Sequence, residues 1–165
     1  MVDMKNRKNA TSGQFDMDGL ASELNEVFIE KIPFNKWIGL RIDSLSFDQV
    51  ALAFDMKETL IGNYIRRALH GGVISTVIDI TGILAAFMSN LKKMPDESND
   101  NLAKMAGRLG TIDLRIDYLR PGIGNRFTSS GYILRAGKKV AVARIEMENE
   151  RKDLIAVGTG SYLIG

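Results

Sequence analysis

Twenty-two consecutive residues, LHGGVISTVIDITGILAAFMSN from Leu69 to Asn90, would put apolar side chains on nearly every face of a helix. Gly71-Gly72 opens the segment and Asn90 can close it. Its Val and Ile content also suits a strand, but the length favours a helix. A helix that is apolar all round is buried on most sides, so the rest of the chain must wrap it or a bilayer must hold it. The apolar run itself, Val73 to Met88, is 16 residues and is interrupted by Ser75, Thr76, Asp79 and Thr81. That is too short and too polar at its centre for a membrane span. The N-terminus, MVDMKNRKNATSGQFDMDG, lacks the apolar region of a signal peptide. The expectation is therefore a soluble, cytoplasmic protein with this helix at its centre.

The flanking segments supply the wrapping. Residues 1–16 have no periodicity and are rich in Lys, Asn, Ser and Asp, which predicts a disordered tail, with one domain over 17–165. Leu20, Leu24, Val27, Phe28 and Ile32 form one stripe of an amphipathic helix that Pro33 ends. Two apolar runs, Leu40 to Phe47 and Val50 to Phe54, flank an Asp48-Gln49 turn and read as a hairpin. Glu58 to Leu69 reads as a loop, and Lys92 to Arg108 as a loop holding a short helix around Asp100 to Met105. Four strands follow. Thr111 to Leu119 places Ile112, Leu114, Ile116 and Tyr118 on one face, and Pro121-Gly122 marks a turn. Arg126 to Leu134, Val140 to Met147 and Leu154 to Ile164 come next, separated by Ala136-Gly137-Lys138 and Glu148 to Asp153. Short turns between them predict an antiparallel meander. The fold class is α+β, with a six-stranded antiparallel sheet around one long central helix.

The composition narrows the chemistry. The formal net charge of +2 makes no electrostatic case for nucleic acid or an anionic membrane as partner. With no cysteine there are no disulfides, thiolate zinc sites or thiol nucleophiles. A lone histidine, His70, rules out a multi-histidine metal site within one chain, and no G-x-S-x-G elbow is present. No metal or redox cofactor is implied. Chemistry here runs on carboxylates, backbone amides, hydroxyls, amines and one imidazole.

Asn63, His70-Gly71-Gly72 and Asp79 within an apolar helix resemble the PaaI-type hotdog-fold acyl-CoA thioesterases. The resemblance continues through GTIDLRIDYLRPG (Gly110 to Gly122), LRAGKKVAVARIEM (Leu134 to Met147) and the terminal LIAVGTGSYLIG. It covers roughly Pro33 to Gly165. It is especially close to a bacterial medium- and long-chain acyl-CoA thioesterase subgroup that shares the LHGGVI, GTIDLR and YLRPG blocks. What the resemblance implies is a hotdog fold and hydrolysis of a fatty or aryl acyl-CoA to free acid and CoA. Coenzyme A then enters as part of the substrate.

Thioester hydrolysis needs a base or nucleophile and donors for a developing oxyanion. Gly71 and Gly72 at a helix start offer free N–H groups at the positive end of the helix dipole, open to close approach. Asp79, among Val77, Ile78, Ile80 and Ile83, is poorly solvated, which raises its basicity and suits a general base or a nucleophile. Taken alone, such a carboxylate would read as a structural group bonded to a neighbouring hydroxyl or backbone group; with HGG upstream it reads as catalytic. Gly71 to Asp79 is eight residues, about 12 Å of helix rise. No one thioester carbon can lie about 3 Å from both ends. Two antiparallel copies would bring one chain's Gly71 to the other's Asp79, so a homodimer is expected. The resemblance implies the same, often with dimers paired into tetramers.

The remaining roles come from the resemblance. Asn63 would orient the water or thioester, and Thr111 would help hold the attacking water beside the carboxylate. His70 would polarise the thioester or protonate the leaving thiolate, or else donate a hydrogen bond that fixes the helix start. Tyr118, Arg120, Pro121 and Gly122, with Arg135, Gly137, Lys138 and Lys139, match the family's CoA-contacting segments. Lys138-Lys139 is not part of a Walker A loop, and Arg66-Arg67 reads as a solvated pair, with phosphate contact as the alternative. Two other functions fit the class: a hydroxyacyl-thioester dehydratase and a non-catalytic acyl-CoA-binding protein. Acyl chain length is not legible.

Overall fold

The computed structural model describes residues 16–93 and 102–165. The predicted tail, up to residue 15, and the start of the predicted Asp100–Met105 helix lie outside them. Asp16 already belongs to the fold, because its carboxylate accepts the Gly19 N–H at 3.2 Å and caps α1 (Met17–Asn25). Leu20 and Leu24 are buried, and the chain then widens into one π-helical turn, Glu26–Glu30, which buries Phe28 and Ile29 together. The predicted stripe therefore changes course: Ile29 takes the core position, and Val27 and Ile32 are only half-buried.

Pro33 does end this helix, but it also opens another, α2 (Pro33–Ile38), where its missing N–H leaves nothing unsatisfied. The buried Asn35 amide donates to the Phe28 carbonyl at 2.7 Å, supplying a partner the widened turn needs. Gly39, at φ 82°, closes α2 in the left-handed region.

β1 (Arg41–Leu45) and β2 (Val50–Asp55) form the expected hairpin, closed by the Ser46 N–H on the Gln49 carbonyl. The predicted loop at 58–69 is more ordered than its composition suggests. A 3₁₀ turn, Glu58–Leu60, leads into a small ladder of β3 (Ile61–Asn63) and β4 (Ala68–Leu69). Then come α3 (Gly71–Leu91), α4 (Leu102–Ala106), β5 (Gly110–Tyr118), β6 (Arg126–Ala136), β7 (Val140–Asn149) and β8 (Leu154–Leu163).

The main sheet is six-stranded and antiparallel, in the order β1-β2-β6-β7-β8-β5. The predicted four-strand meander holds only for β6, β7 and β8. β5 pairs with β8 at the far edge, and β6 pairs with β2. The reason is that Pro121-Gly122 is no hairpin turn. The Gly122 carbonyl instead accepts the Leu69 N–H at 2.9 Å, tying this connection to the start of α3.

The 21 residues of α3 exceed the apolar run counted in the sequence, and by length and composition alone this helix could cross a membrane. Its apolar side chains lie instead against the sheet, with Val77, Ile78, Leu84, Ala86, Phe87 and Met88 buried. One stripe is left half-covered: Ser75, Thr76, Asp79, Ile80 and Ile83.

Below the helix, the Tyr162 ring is fully buried with its hydroxyl wedged between Gly82 and Gly160. A Cβ on Gly82 would stand 2.0 Å from that oxygen and 2.4 Å from Cζ. An alanine normally gains about 1 kcal/mol over glycine in a helix. Here overpacking reverses the sign, and Gly82→Ala is expected to lose about 2 kcal/mol net. Thermal melts check this: the midpoint should fall, and a smaller residue at 162 should recover part of the loss.

Candidate active site

α3 begins at a turn held from both sides. His70 is its N-cap, extended at φ −65° and ψ 135°, and its Nδ1 accepts the Gly72 N–H at 2.9 Å. The His70 carbonyl accepts the Val73 and Ile74 N–H groups. The Gly71 N–H is thus left as the first-turn donor with no acceptor among the described residues. His70 thus holds the helix start as a hydrogen-bond acceptor, not as the donor expected from the sequence.

Two turns along the helix, Asp79 sits half-buried, and the Thr111 hydroxyl donates to its Oδ1 at 2.7 Å. Burial among apolar neighbours holds the Asp79 carboxyl above the ordinary aspartate range, and the Thr111 hydrogen bond pulls it part of the way back. Burial and the nearby Asp79 charge together push the Tyr162 phenol well above its usual value.

Thr111 reaches Asp79 because β5 is irregular. Its pairing with β8 slips between Thr111 and Asp113, a bulge at Ile112. Strict alternation would set Ile112 on the helix side with Leu114, Ile116 and Tyr118. The bulge instead leaves Ile112 58% exposed and turns Thr111, itself exposed, to the helix side beside its register partner Tyr162. Re-aiming one side chain is what a bulge does. Thr111→Val should therefore move the acid limb of the pH–rate profile upward, since it removes the bond that lowers the Asp79 pKa. Initial rates across acid pH check this, and an unmoved limb would separate Asp79 from the rate.

A cleft of about 390 Å³ opens at the N-terminus of α3. It gathers six of the residues singled out in the sequence: Asn63, Gly71, Tyr118, Arg120, Pro121 and Gly122. Several are already occupied. Asn63 Oδ1 accepts the Arg66 N–H at 3.0 Å, Arg120 donates to the Leu154 carbonyl at 2.9 Å, and the Tyr118 hydroxyl donates to the Gly71 carbonyl at 3.2 Å.

The cleft also takes in Arg66, Ile74 and Leu119. Both arginines of the Arg66-Arg67 pair are exposed, Arg67 pairing with Glu58 and Arg66 lining the cleft.

The second basic segment lies elsewhere. Lys138 lines another hollow, about 250 Å³, with Asn90, Arg108 and Ile164 at the C-terminal end of α3. The Gly137 carbonyl there accepts Lys93 Nζ at 3.1 Å, while Arg135 and Lys139 are exposed. Within one chain, then, the predicted residues fall into three places: the helix start with its cleft, the Asp79–Thr111 pair, and the Lys138 end.

A six-stranded antiparallel sheet packed on one long helix is the layout expected of a hotdog fold. Residues 67–156 match the sequence profile of the thioesterase superfamily. The medium/long-chain acyl-CoA thioesterase YigI of Salmonella typhimurium is 43% identical over 142 residues, covering 86% of this chain and 92% of that protein. YigI of Escherichia coli K12 is 42% identical with the same coverage. A Shewanella oneidensis crystal structure, related to the thioesterase superfamily, superposes with a TM-score of 0.83 at 42% identity, covering 90% of this chain and 97% of that one. The chain belongs to the thioesterase superfamily.

Proposed function

We propose that this protein hydrolyses medium- or long-chain acyl-CoA, with Asp79 as base or nucleophile and the Gly71 N–H as oxyanion donor. The observation that carries the reading is the pairing of two complementary halves on one helix. A donor without an acceptor lies at its start, and a hydroxyl-held, desolvated carboxylate lies eight residues on. The names of the 42–43% identical relatives support the acyl-CoA substrate and its chain-length class. An aryl acyl-CoA remains within the same chemistry. The phosphates of CoA would meet Arg66 and Arg120 at the cleft, or the Lys138 end, as anions meet cations.

The halves are about 12 Å apart in one chain, so each working site takes one half from each of two copies. The half-covered stripe of α3 and the unpaired edge of β5 are the surfaces a second copy would cover. A two-fold axis near Leu114 would set each Asp113 opposite the partner's Arg115, a favourable cross-strand pair on both sides. A dimer of dimers is compatible with this arrangement.

The test is thiol release from acyl-CoAs of C2 to C18 and from aryl-acyl CoAs, with the mass in solution measured by sedimentation. Chains carrying Asp79→Asn are then mixed, after unfolding and refolding, with chains carrying Gly71→Pro. A shared site predicts recovery of roughly a quarter of wild-type activity, because half the dimers are mixed and each keeps one intact site. No recovery from two inactive parents would overturn the shared site. Binding without thiol release would overturn the hydrolase itself.

A further inference from the structure

The Gly71–Gly72 peptide is the least constrained unit of this turn, because neither residue carries a Cβ. Both of its ends are nevertheless held. His70 Nδ1 accepts its N–H at 2.9 Å, and the Tyr118 hydroxyl donates to its carbonyl at 3.2 Å. The single hydrogen of Ser75 Oγ is shared between that carbonyl and the Gly72 carbonyl, each at 3.1 Å. Tyr118 comes from the far end of β5, 47 residues away in the chain, and its ring lies where a Gly71 Cβ would touch it at 3.7 Å. Its side chain is 54% exposed, so burial alone does not account for its place.

A peptide flip here would swing the Gly71 carbonyl toward the open end of the helix, where the N–H groups point. It would put an acceptor where an oxyanion needs donors. We propose that Tyr118 is a positioning residue that, with the His70 cap, clamps the Gly71–Gly72 peptide and keeps the oxyanion-binding turn in its donor orientation. The inference rests on the reading of Gly71 as the oxyanion donor. It assigns one strand to both halves of the chemistry: Thr111 at the start of β5 holds Asp79, and Tyr118 at its end holds the turn.

Tyr118→Phe keeps the ring and deletes only the donor. Acyl-CoA kinetics should show kcat falling about 10- to 100-fold with KM within about threefold, as misplaced catalytic groups produce. The Gly72 amide should exchange with solvent faster than in wild type, with the thermal midpoint nearly unchanged. A rise in KM at constant kcat would make Tyr118 a substrate contact and overturn the clamp, as would unchanged kinetics with unchanged exchange. If the wild type releases no thiol from any acyl-CoA, the functional reading fails. The exchange measurement then still decides the clamp: faster Gly72 exchange upholds it, and unchanged exchange overturns it.

Discussion

Asp79→Asn should lower kcat for thioester hydrolysis by at least about 100-fold, about 2.7 kcal/mol of barrier. The substitution keeps size and shape, and the amide oxygen can still accept from Thr111. What disappears is the negative charge that the proposed mechanism uses to activate water or attack the carbonyl. The same change should make the protein more stable at neutral pH. The Asp79 carboxyl is raised in the folded state, chiefly by burial. Its contribution to stability is therefore fully present below the unfolded aspartate pKa and is lost as pH rises through the folded value. Removing the ionisation removes that loss. Thermal melts at pH 5 and pH 8 should show a gain for the variant that is larger at the higher pH. A variant as active as wild type would remove Asp79 from the chemistry, whatever its stability.

Gly71→Pro should be nearly as damaging, with kcat falling about 10²- to 10³-fold, as for the loss of one oxyanion donor. The expected specificity of this effect comes from the local backbone. Gly71 is the first residue of α3, where proline is accommodated because its N–H is unneeded by the helix. The preceding His70 already has the extended ψ of 135° that a following proline prefers. A Cβ at position 71 meets nothing closer than the Tyr118 ring at 3.7 Å. The helix should form as before, so circular dichroism should match wild type while turnover collapses. Wild-type turnover with an intact helix would show that the donor lies elsewhere.

The sequence by itself determined the central helix, the polar positions that interrupt it and the glycine pair that opens it. Those are local properties: hydrophobic period, length and backbone freedom are written into neighbouring residues. Helix rise also keeps Gly71 and Asp79 about 12 Å apart in one chain, since it is independent of tertiary context. Family resemblance added Asn63 and the segment from Tyr118 to Gly122, which line one cleft with Gly71. Gly137 and Lys138, grouped with them by resemblance, stand at the other end of α3 from that cleft in a single chain.

Only the tertiary structure decided where β5 goes and which way its side chains point. Strand order is a choice between long-range partners, and β5 and β6 are adjacent in the chain yet on opposite sides of β7 and β8. The bulge at Ile112 is legible in no pattern, because an isoleucine suits either face, and a one-residue slip sends Thr111 from one side of the sheet to the other. Tyr118 illustrates the same limit. Its position on the strand follows from alternation, but the carbonyl it reaches belongs to a turn 47 residues earlier. Hydropathy records how deeply a residue is buried; which distant groups share that depth is set by the pairing of strands and the seat of the helix upon them.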